Sequence, residues 1–308
     1  MGDELFTGYE ILAYKPNRRM VARINYASGK AVVLKLHDAK SFKAVLQPAS
    51  ALRKLAVCGL PIRLGRSKRH RALAYQWIPG KPLDVATMDA GQRGVMLDEM
   101  FACLKDLHQP VNTRKSKLAV RRPAQGVAEV AADLGALYSP FAAWSREMAE
   151  TIINNEPREY FFRLIHGDFH AHQIVQQPGR VVACDFDNAC ISDETCDLAN
   201  FNAHLHYQSC RKQLSKEVVA EIDDDCRRKL DMDDVNQRYS WNLAACLMRL
   251  VTHPFRAGSE NWIEQTEALL QLVQQQIQVS RKTALPGRGN CKTSDDGVTK
   301  RLRDKIQA

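Results

Sequence analysis

The chain has 308 residues, of which 45% are hydrophobic, enough to fill the core of one large domain or two smaller ones. This composition excludes collagen, coiled coil and wholesale disorder. No apolar run reaches the about 18 residues that a membrane-spanning helix needs, and the first residues are acidic where a signal peptide would be basic. Nine cysteines without a regular framework fit a reducing compartment. We therefore expect a cytoplasmic protein with no membrane partner.

The net charge of +9 is unevenly distributed along the chain. Residues 1–80 carry +11, residues 81–279 carry −7, and residues 280–308 carry +5. A basic front and an acidic body indicate two unlike lobes and disfavour nucleic acid as a partner. Five basic residues in and just before one predicted turn are the only support for nucleic-acid binding: Arg63, Arg66, Lys68, Arg69 and Arg71. A charged turn is usually just solvated.

The first 80 residues have the pattern of strands and turns. Residues 20–26 alternate apolar and polar, and residues 31–36 resume after a Gly-containing turn, which predicts a hairpin with Lys35 on its second strand. Residues 38–56 favour a short helix or helix pair, which Pro48 should bend or interrupt.

Two further strands complete this predicted lobe. They span residues 60–64 and 72–78, and the charged turn 65–71 separates them. Pro79, Gly80 and Pro82 then end the sheet-rich region.

Beyond Pro82 the apolar period becomes helical. Helical patterns cover residues 95–107, 127–152, 197–209, 214–230, 234–252 and 260–279, and a compact insert at 162–182 is rich in His and Asp. The sequence therefore predicts an α+β chain with an N-lobe over 1–80, a helical C-lobe over 81–280 and a cleft between them. Residues 281–308 are basic, contain Pro and Gly, and have few large apolar residues, which predicts a disordered tail.

The most informative segments are residues 164–175, which contain His166-Gly167-Asp168, and residues 181–187, which contain Asp185. Phosphoryl transfer needs one carboxylate to orient the attacking hydroxyl and others to hold Mg²⁺ against the phosphates. Here the chain resembles the aminoglycoside phosphotransferase and choline kinase-like family of small-molecule kinases. The resemblance implies a protein-kinase-like fold, with Asp168 as catalytic base and Asp185 as the main metal ligand. A lone His-Gly-Asp would more often be a solvated turn.

A third matching element makes the resemblance stronger. Residues 196–201 contain Asp197-Leu198-Ala199, which resembles the family element that supports the catalytic loop from the start of a helix. By the same resemblance, His166 is a structural residue that fixes the loop around Asp185. Asp187 would be either a second metal ligand or a surface carboxylate.

The resemblance extends into the N-lobe, so that it covers roughly residues 9–280. It implies that Lys35 contacts the nucleotide phosphates and that Gln76, Trp77 and Ile78 form the adenine-binding hinge. The alternatives are an exposed strand lysine and ordinary packing of an aromatic strand end.

The chain departs from the family pattern at three places. Gln173 stands where the family usually has Asn, and its longer side chain must fold back to bring its carbonyl oxygen to Mg²⁺. The phosphate-covering turn at 14–19 lacks the glycine-rich sequence and offers Arg18 and Arg19 instead. The predicted helix after Lys35 has no Glu to pair with this lysine, and Gln47 is the nearest polar substitute.

These features predict transfer of the γ-phosphate of ATP, with Mg²⁺, to a hydroxyl of an aminoglycoside-, amino alcohol- or sugar-like molecule. Only 11 residues separate Asp185 from Asp197, which leaves no platform for a peptide substrate. The alternative is a catalytically inactive nucleotide-binding pseudokinase or scaffold. Zinc binding by the His and Cys residues of this region is disfavoured, because their spacing lacks the short pairs of structural zinc sites. The sequence leaves the oligomeric state open.

Overall fold

The computed structural model describes residues 4–52, 61–111, 116, 118–157, 160–230 and 232–283. The predicted tail falls outside the described residues from position 284 onward. The N-terminal lobe is one antiparallel sheet in the order β1-β2-β3-β5-β4. Its strands are β1 (Phe6–Lys15), β2 (Arg19–Tyr26), β3 (Ala31–His37), β4 (Arg63–Ser67) and β5 (Ala72–Gln76). The predicted hairpin is therefore confirmed.

Strand β3 lies at the centre of this sheet and carries Lys35 on its inner face. Lys35 pairs with Val21 of β2 and with Leu73 of β5, and it is only 6% exposed. Because side chains alternate across a strand, His37 shares the buried face with Lys35. The sheet thus points its one buried lysine toward the second lobe.

Helix α1 (Ala39–Leu52) packs on the sheet and continues through Pro48. The helix is not interrupted at Pro48, which is buried, so packing around the helix offsets the hydrogen bond that proline cannot donate. The helix starts at Asp38, whose carboxylate accepts the Ser41 N–H at 2.6 Å. Its apolar face contacts Leu73 of β5.

The fourth strand lies further along the chain than predicted. Residues 60–64 were expected to be extended, but β4 begins at Arg63 and runs to Ser67, into the expected turn. Arg63, Gly65 and Ser67 are half-buried and alternate with exposed residues, as an edge strand allows. Pairing with β5, not the charge of the segment, sets the end of β4, so the turn covers only residues 68–71.

The C-terminal lobe is mainly helical. Its helices are α2 (Ala90–Leu107), α3 (Val127–Leu137), α4 (Ala142–Asn154), α5 (Cys196–Cys210), α6 (Lys216–Leu230), α7 (Asp233–Leu250), α8 (His253–Arg256) and α9 (Trp262–Thr283). The single stretch expected over 127–152 is two helices, because the chain turns through a short 3₁₀ segment at Ser139–Phe141 that contains Pro140. The fully buried Trp241 and Tyr239 of α7 lie in the largest core cluster.

Short strands form the site-bearing insert between α4 and α5. They are β7 (Phe162–Ile165), β8 (Ile174–Gln177), β9 (Arg180–Ala183) and β10 (Cys190–Asp193), and β6 (Lys81–Pro82) joins them from the interlobe connection. Strands β6, β8 and β9 form one sheet, and β7 pairs with β10. Within the described ranges, no helix has the length and apolar character needed to cross a membrane.

Candidate active site

Two chain reversals bring the motif residues together. Asp168 lies in the loop between β7 and β8, and Asp185 follows β9. Because β8 and β9 pair antiparallel from Ile174 opposite Ala183, Gln173 and Cys184 become neighbours, and the Cys184 N–H donates to the Gln173 carbonyl at 2.8 Å. The hairpin therefore places Gln173 beside the residue that precedes Asp185.

The loop depends on glycine at position 167. Gly167 has φ of +77°, and a Cβ there would lie 2.3 Å from the carbonyl oxygen of Asn188. Any side chain would force the loop away from the Asn188 segment. The glycine of the motif thus permits close approach of the two backbones that carry Asp168 and Asp185.

Asp197 holds the loop from the first turn of α5. Its carboxylate, 1% exposed, accepts the backbone N–H of His166 at 2.7 Å and that of Gly167 at 2.9 Å. The His108 Nε2 lies 3.0 Å from the same carboxylate. Burial raises the pKa of Asp197, but the hydrogen bond and charge of His108 outweigh burial, so the pKa falls below its usual value.

His166 connects the two motif segments. Its Nδ1 accepts the Asp168 N–H at 3.3 Å, so the ring proton lies on Nε2, which donates to the Cys184 carbonyl at 2.8 Å. The imidazole, fully buried, contacts the ring of Phe186 at 4.5 Å between centroids. One neutral histidine thereby fixes the backbone on both sides of the site.

Asp168 combines access with an altered acidity. Its side chain is 39% exposed, and its Oδ2 accepts a hydrogen bond from Asn188 Nδ2 at 3.3 Å. Burial of the surrounding loop, together with the charge of Asp185, raises the pKa of Asp168 to about 6. A carboxylate with this pKa accepts a proton readily near neutral pH and remains reachable by a ligand.

Asp185 and Asp187 form an acidic pair that two N-lobe cations neutralise. Lys35 Nζ contacts Asp185 Oδ1 and lies 2.9 Å from Asp187 Oδ1. Arg19 Nη1 lies 3.2 Å from Asp185 Oδ2 and 3.1 Å from Asp187 Oδ2. Burial raises the pKa of Asp185, but Lys35 and Arg19 more than offset it and the pKa falls well below its usual value. Asp185 is therefore available as an anionic ligand.

The remaining predicted nucleotide residues lie at the edges of this region. Arg18 is exposed in the turn between β1 and β2, where its carbonyl accepts the Asp38 N–H at 2.9 Å. Gln76 ends β5, and the Trp77 ring lies 4.5 Å from the Arg23 guanidinium. Ile78 follows in the connection to the second lobe. The structure gathers Lys35 and Arg19 at the acidic pair, whereas the hinge stays a prediction.

Sequence reasoning missed Asn188 and His108. Asn188 is only three residues after Asp185, so the run Asp185–Asn188 could have suggested a partner for Asp168. His108 follows α2 and lies 89 positions from Asp197, and no local pattern indicates this contact.

The residues around Asp185 fit a divalent cation. Arg19 Nη1 lies between the two carboxylates as a positively charged substitute, which shows that the pair accepts a cation from the N-lobe side. Carboxylate and amide oxygens are the ligands that Mg²⁺ prefers. Gln173 Oε1 lies 3.9 Å from Cys184 Sγ, close to the same segment.

A two-lobed fold with a central N-lobe lysine, a loop aspartate and an acidic pair on the next hairpin defines a kinase-like phosphotransferase. Residues 17–234 match the family model described as the phosphotransferase enzyme family. The chain belongs to this family. A comparison with curated proteins gave no match.

Solved structures share the fold at low sequence identity. The GDP and kanamycin complex of APH(2")-IIia has a TM-score of 0.63 and 17% identity, and the match covers 89% of this chain and 95% of that one. An amicoumacin kinase in complex with AMP-PNP, Ca²⁺ and Ami has a TM-score of 0.59 and 12% identity, and the match covers 91% of this chain and 90% of that one. A macrolide 2'-phosphotransferase from Brachybacterium faecium has a TM-score of 0.54 and 18% identity, and the match covers 86% of this chain and 91% of that one.

Proposed function

We propose that the protein transfers the γ-phosphate of ATP to a hydroxyl group of a small molecule, with Asp168 as the catalytic base. The observation that carries the proposal is the arrangement of an accessible carboxylate with a raised pKa beside a buried lysine–carboxylate group. The first can take up a hydroxyl proton, and the second can bind a metal–phosphate group. An inactive scaffold has no need of either.

The roles of the chain's own residues follow from their positions. Asn188 orients the Asp168 carboxylate toward the acceptor hydroxyl, whose proton Asp168 takes up as phosphate is transferred. Asp185 and Gln173 would hold Mg²⁺, with Asp187 beside them, and Lys35 would contact the phosphates. The bound metal supplies charge that stabilises the transferring phosphoryl group.

Arg19 has a double role in this proposal. It neutralises Asp185 and Asp187 in the structure, and it lies at the first position of β2, next to the turn over the nucleotide site. When a metal occupies the carboxylates, its guanidinium is free to bind phosphate oxygens. Arg18, exposed in the same turn, offers a second charge.

The acidic residues of the C-lobe give little support for a cationic acceptor. Such an acceptor would need free carboxylates, but four of those on α6 and α7 form ion pairs with arginines. These pairs are Glu221–Arg93, Asp223–Arg227, Asp225–Arg228 and Asp234–Arg238. We therefore propose a hydroxyl-rich acceptor, and the small-molecule complexes of the similar structures favour antibiotic-sized ones.

The test is an ATP-consumption screen with Mg²⁺ across aminoglycosides, macrolides, amino alcohols and sugars. With an active acceptor, Asp168→Asn is expected to lower kcat by about two to four orders of magnitude while ATP binding stays within a few-fold of wild type. The matched control is Asp133→Asn on α3, where the side chain is 66% exposed and its described ion-pair partner is Arg256. An Asp168→Asn rate within threefold of wild type would exclude Asp168 as the base, and ATP binding without turnover of any acceptor would favour the pseudokinase.

A further inference from the structure

Histidines from three parts of the C-lobe meet beside Asp168. His170 follows Asp168 in the catalytic loop, His204 comes from the middle of α5, and His253 begins α8. The rings of His170 and His204 stack with centroids 4.3 Å apart and planes 23° apart. The ring centroids of His253 and His204 are 6.5 Å apart, and those of His172 and His170 are 5.9 Å apart.

Three of these side chains bring ligand atoms to one point. His170 Nε2 lies 3.8 Å from Asp168 Oδ1, and single ligand atoms of Asp168, His170 and His204 all lie within 4.8 Å of one another. His170 Nδ1 is buried and has no hydrogen-bond partner among the described residues. The ring therefore has one nitrogen that no hydrogen bond to a described residue satisfies.

The donor set selects a class of ion. Two imidazoles and one carboxylate suit Zn²⁺ and Co²⁺, whereas Mg²⁺ prefers oxygen ligands alone. Metal–ligand bonds of about 2.0–2.2 Å place tetrahedral ligands roughly 3.3–3.5 Å apart, so the group must contract by about 1 Å. Burial lowers the pKa of His170 to about 4 and that of His204 well below its usual value, so both rings are neutral ligands at pH 7.

We propose that Asp168, His170 and His204 form a binding site for one Zn²⁺-class ion, separate from the carboxylate position at Asp185. A solvent molecule completes the coordination, as at zinc sites with three protein ligands. This set differs from the His and Cys residues that the sequence offered for zinc, because His204 enters from a helix that follows the motif region. An ion at this site occupies the carboxylate of Asp168.

Cobalt absorption tests the site without any turnover. Metal-free, tag-free protein titrated with Co²⁺ should bind one equivalent with the intense visible bands of four- or five-coordinate cobalt, and excess Mg²⁺ should not displace it. His204→Phe keeps the stacked ring but removes the ligand nitrogen. It should weaken Co²⁺ binding more than about 10-fold, because even the loss of a residue that only supports a metal ligand typically weakens metal binding about 10-fold or more. The matched control is His206→Phe, a second half-buried histidine on the same helix, which should bind Co²⁺ as wild type does.

Several results would overturn the site. They are unchanged Co²⁺ affinity in His204→Phe, displacement by Mg²⁺, absence of the visible bands in the wild type, and charge-transfer bands that show cysteine ligation. Inhibition of phosphate transfer by Zn²⁺ in the wild type, and not in His204→Phe, is expected in addition and rests on the proposed function. If cobalt binds through His204 but Zn²⁺ leaves turnover unchanged, the metal site stands and the base role of Asp168 fails.

Discussion

The Asp197 carboxylate is the support on which the catalytic loop depends most directly. It is 1% exposed and accepts the N–H groups of His166 and Gly167, while His108 contacts it from α2. No water reaches a group this deeply buried, so each donor that loses its acceptor bears the full cost of desolvation. Asp197→Asn changes this pattern with almost no change in volume.

The expected destabilisation follows from counting the donors. In the wild type, Asp197 Oδ2 accepts from the His166 N–H and lies near His108, and Oδ1 accepts from the Gly167 N–H. In the variant, the Asn carbonyl oxygen can take the place of Oδ2. The amide NH₂ then takes the place of Oδ1 and faces the Gly167 N–H, which is also a donor. The unpaired Gly167 donor costs about 1–3 kcal/mol, and loss of the negative charge weakens the other two bonds by about half. Together these effects lower the free energy of unfolding by roughly 3–4 kcal/mol. A domain with about 5–15 kcal/mol of stability still folds.

Urea unfolding followed by circular dichroism measures this change directly. Asp133→Asn, an exposed Asp on α3, serves as the control and should stay within about 0.5 kcal/mol of wild type. Because the loop loosens before the whole domain unfolds, kcat should fall even at low temperature, where Asp197→Asn is still folded. A stability difference below about 1 kcal/mol would refute the reasoning, since it would mean that the buried donors find other acceptors.

Three further predictions concern the site itself. Asp168 must be ionised to act as a base, and its pKa is raised to about 6. The value of kcat/KM should therefore rise as pH passes upward through about 6 and fall about tenfold per pH unit below it. A flat profile down to about pH 5 contradicts this. Arg19→Ala removes the cation on Asp185 and Asp187, so Mn²⁺ binding without nucleotide, measured by electron paramagnetic resonance, should tighten about fivefold, or roughly 1 kcal/mol for one screened charge. Unchanged or weaker Mn²⁺ binding would show that Arg19 does not compete with the metal. Gln173→Asn should keep or raise Mg²⁺-dependent activity whereas Gln173→Leu loses it with Mg²⁺ and Mn²⁺, and full activity of the Leu variant would show that Gln173 is not a ligand.

Local sequence features determine most of the fold that the sequence predicted. The hairpin of β2 and β3 follows from alternation around a Gly-containing turn, and the fold class and family are confirmed. The candidate site residues were named through the resemblance to the family, and their roles stay predictions. Without the family resemblance, only relations between residues close together in the sequence could be inferred.

Contacts between distant segments could not be inferred. The edge strand β4 is shifted because its pairing with β5, not its own composition, sets its ends. Pro48 stays within α1 because tertiary packing outweighs a local penalty. His108 follows α2, and His204 lies on α5 beyond the Asp197-Leu198-Ala199 element, so neither belongs to a motif and only the assembled lobe reveals their neighbours.

The ion pairs around Asp185 and Asp187 bear on how metal and nucleotide would bind. Lys35 and Arg19 belong to the N-lobe, and Asp185 and Asp187 belong to the C-lobe, so the ion pairs that neutralise the acidic pair also join the two lobes. If the proposed function holds, a divalent cation on the carboxylates would weaken these ion pairs, and the phosphates it brings would offer new partners to the same two cations. Metal alone would have to compete with Arg19 and Lys35 for the carboxylates. Nucleotide alone would have to draw the same two cations away from them. The proposal therefore predicts that metal and nucleotide each favour binding of the other.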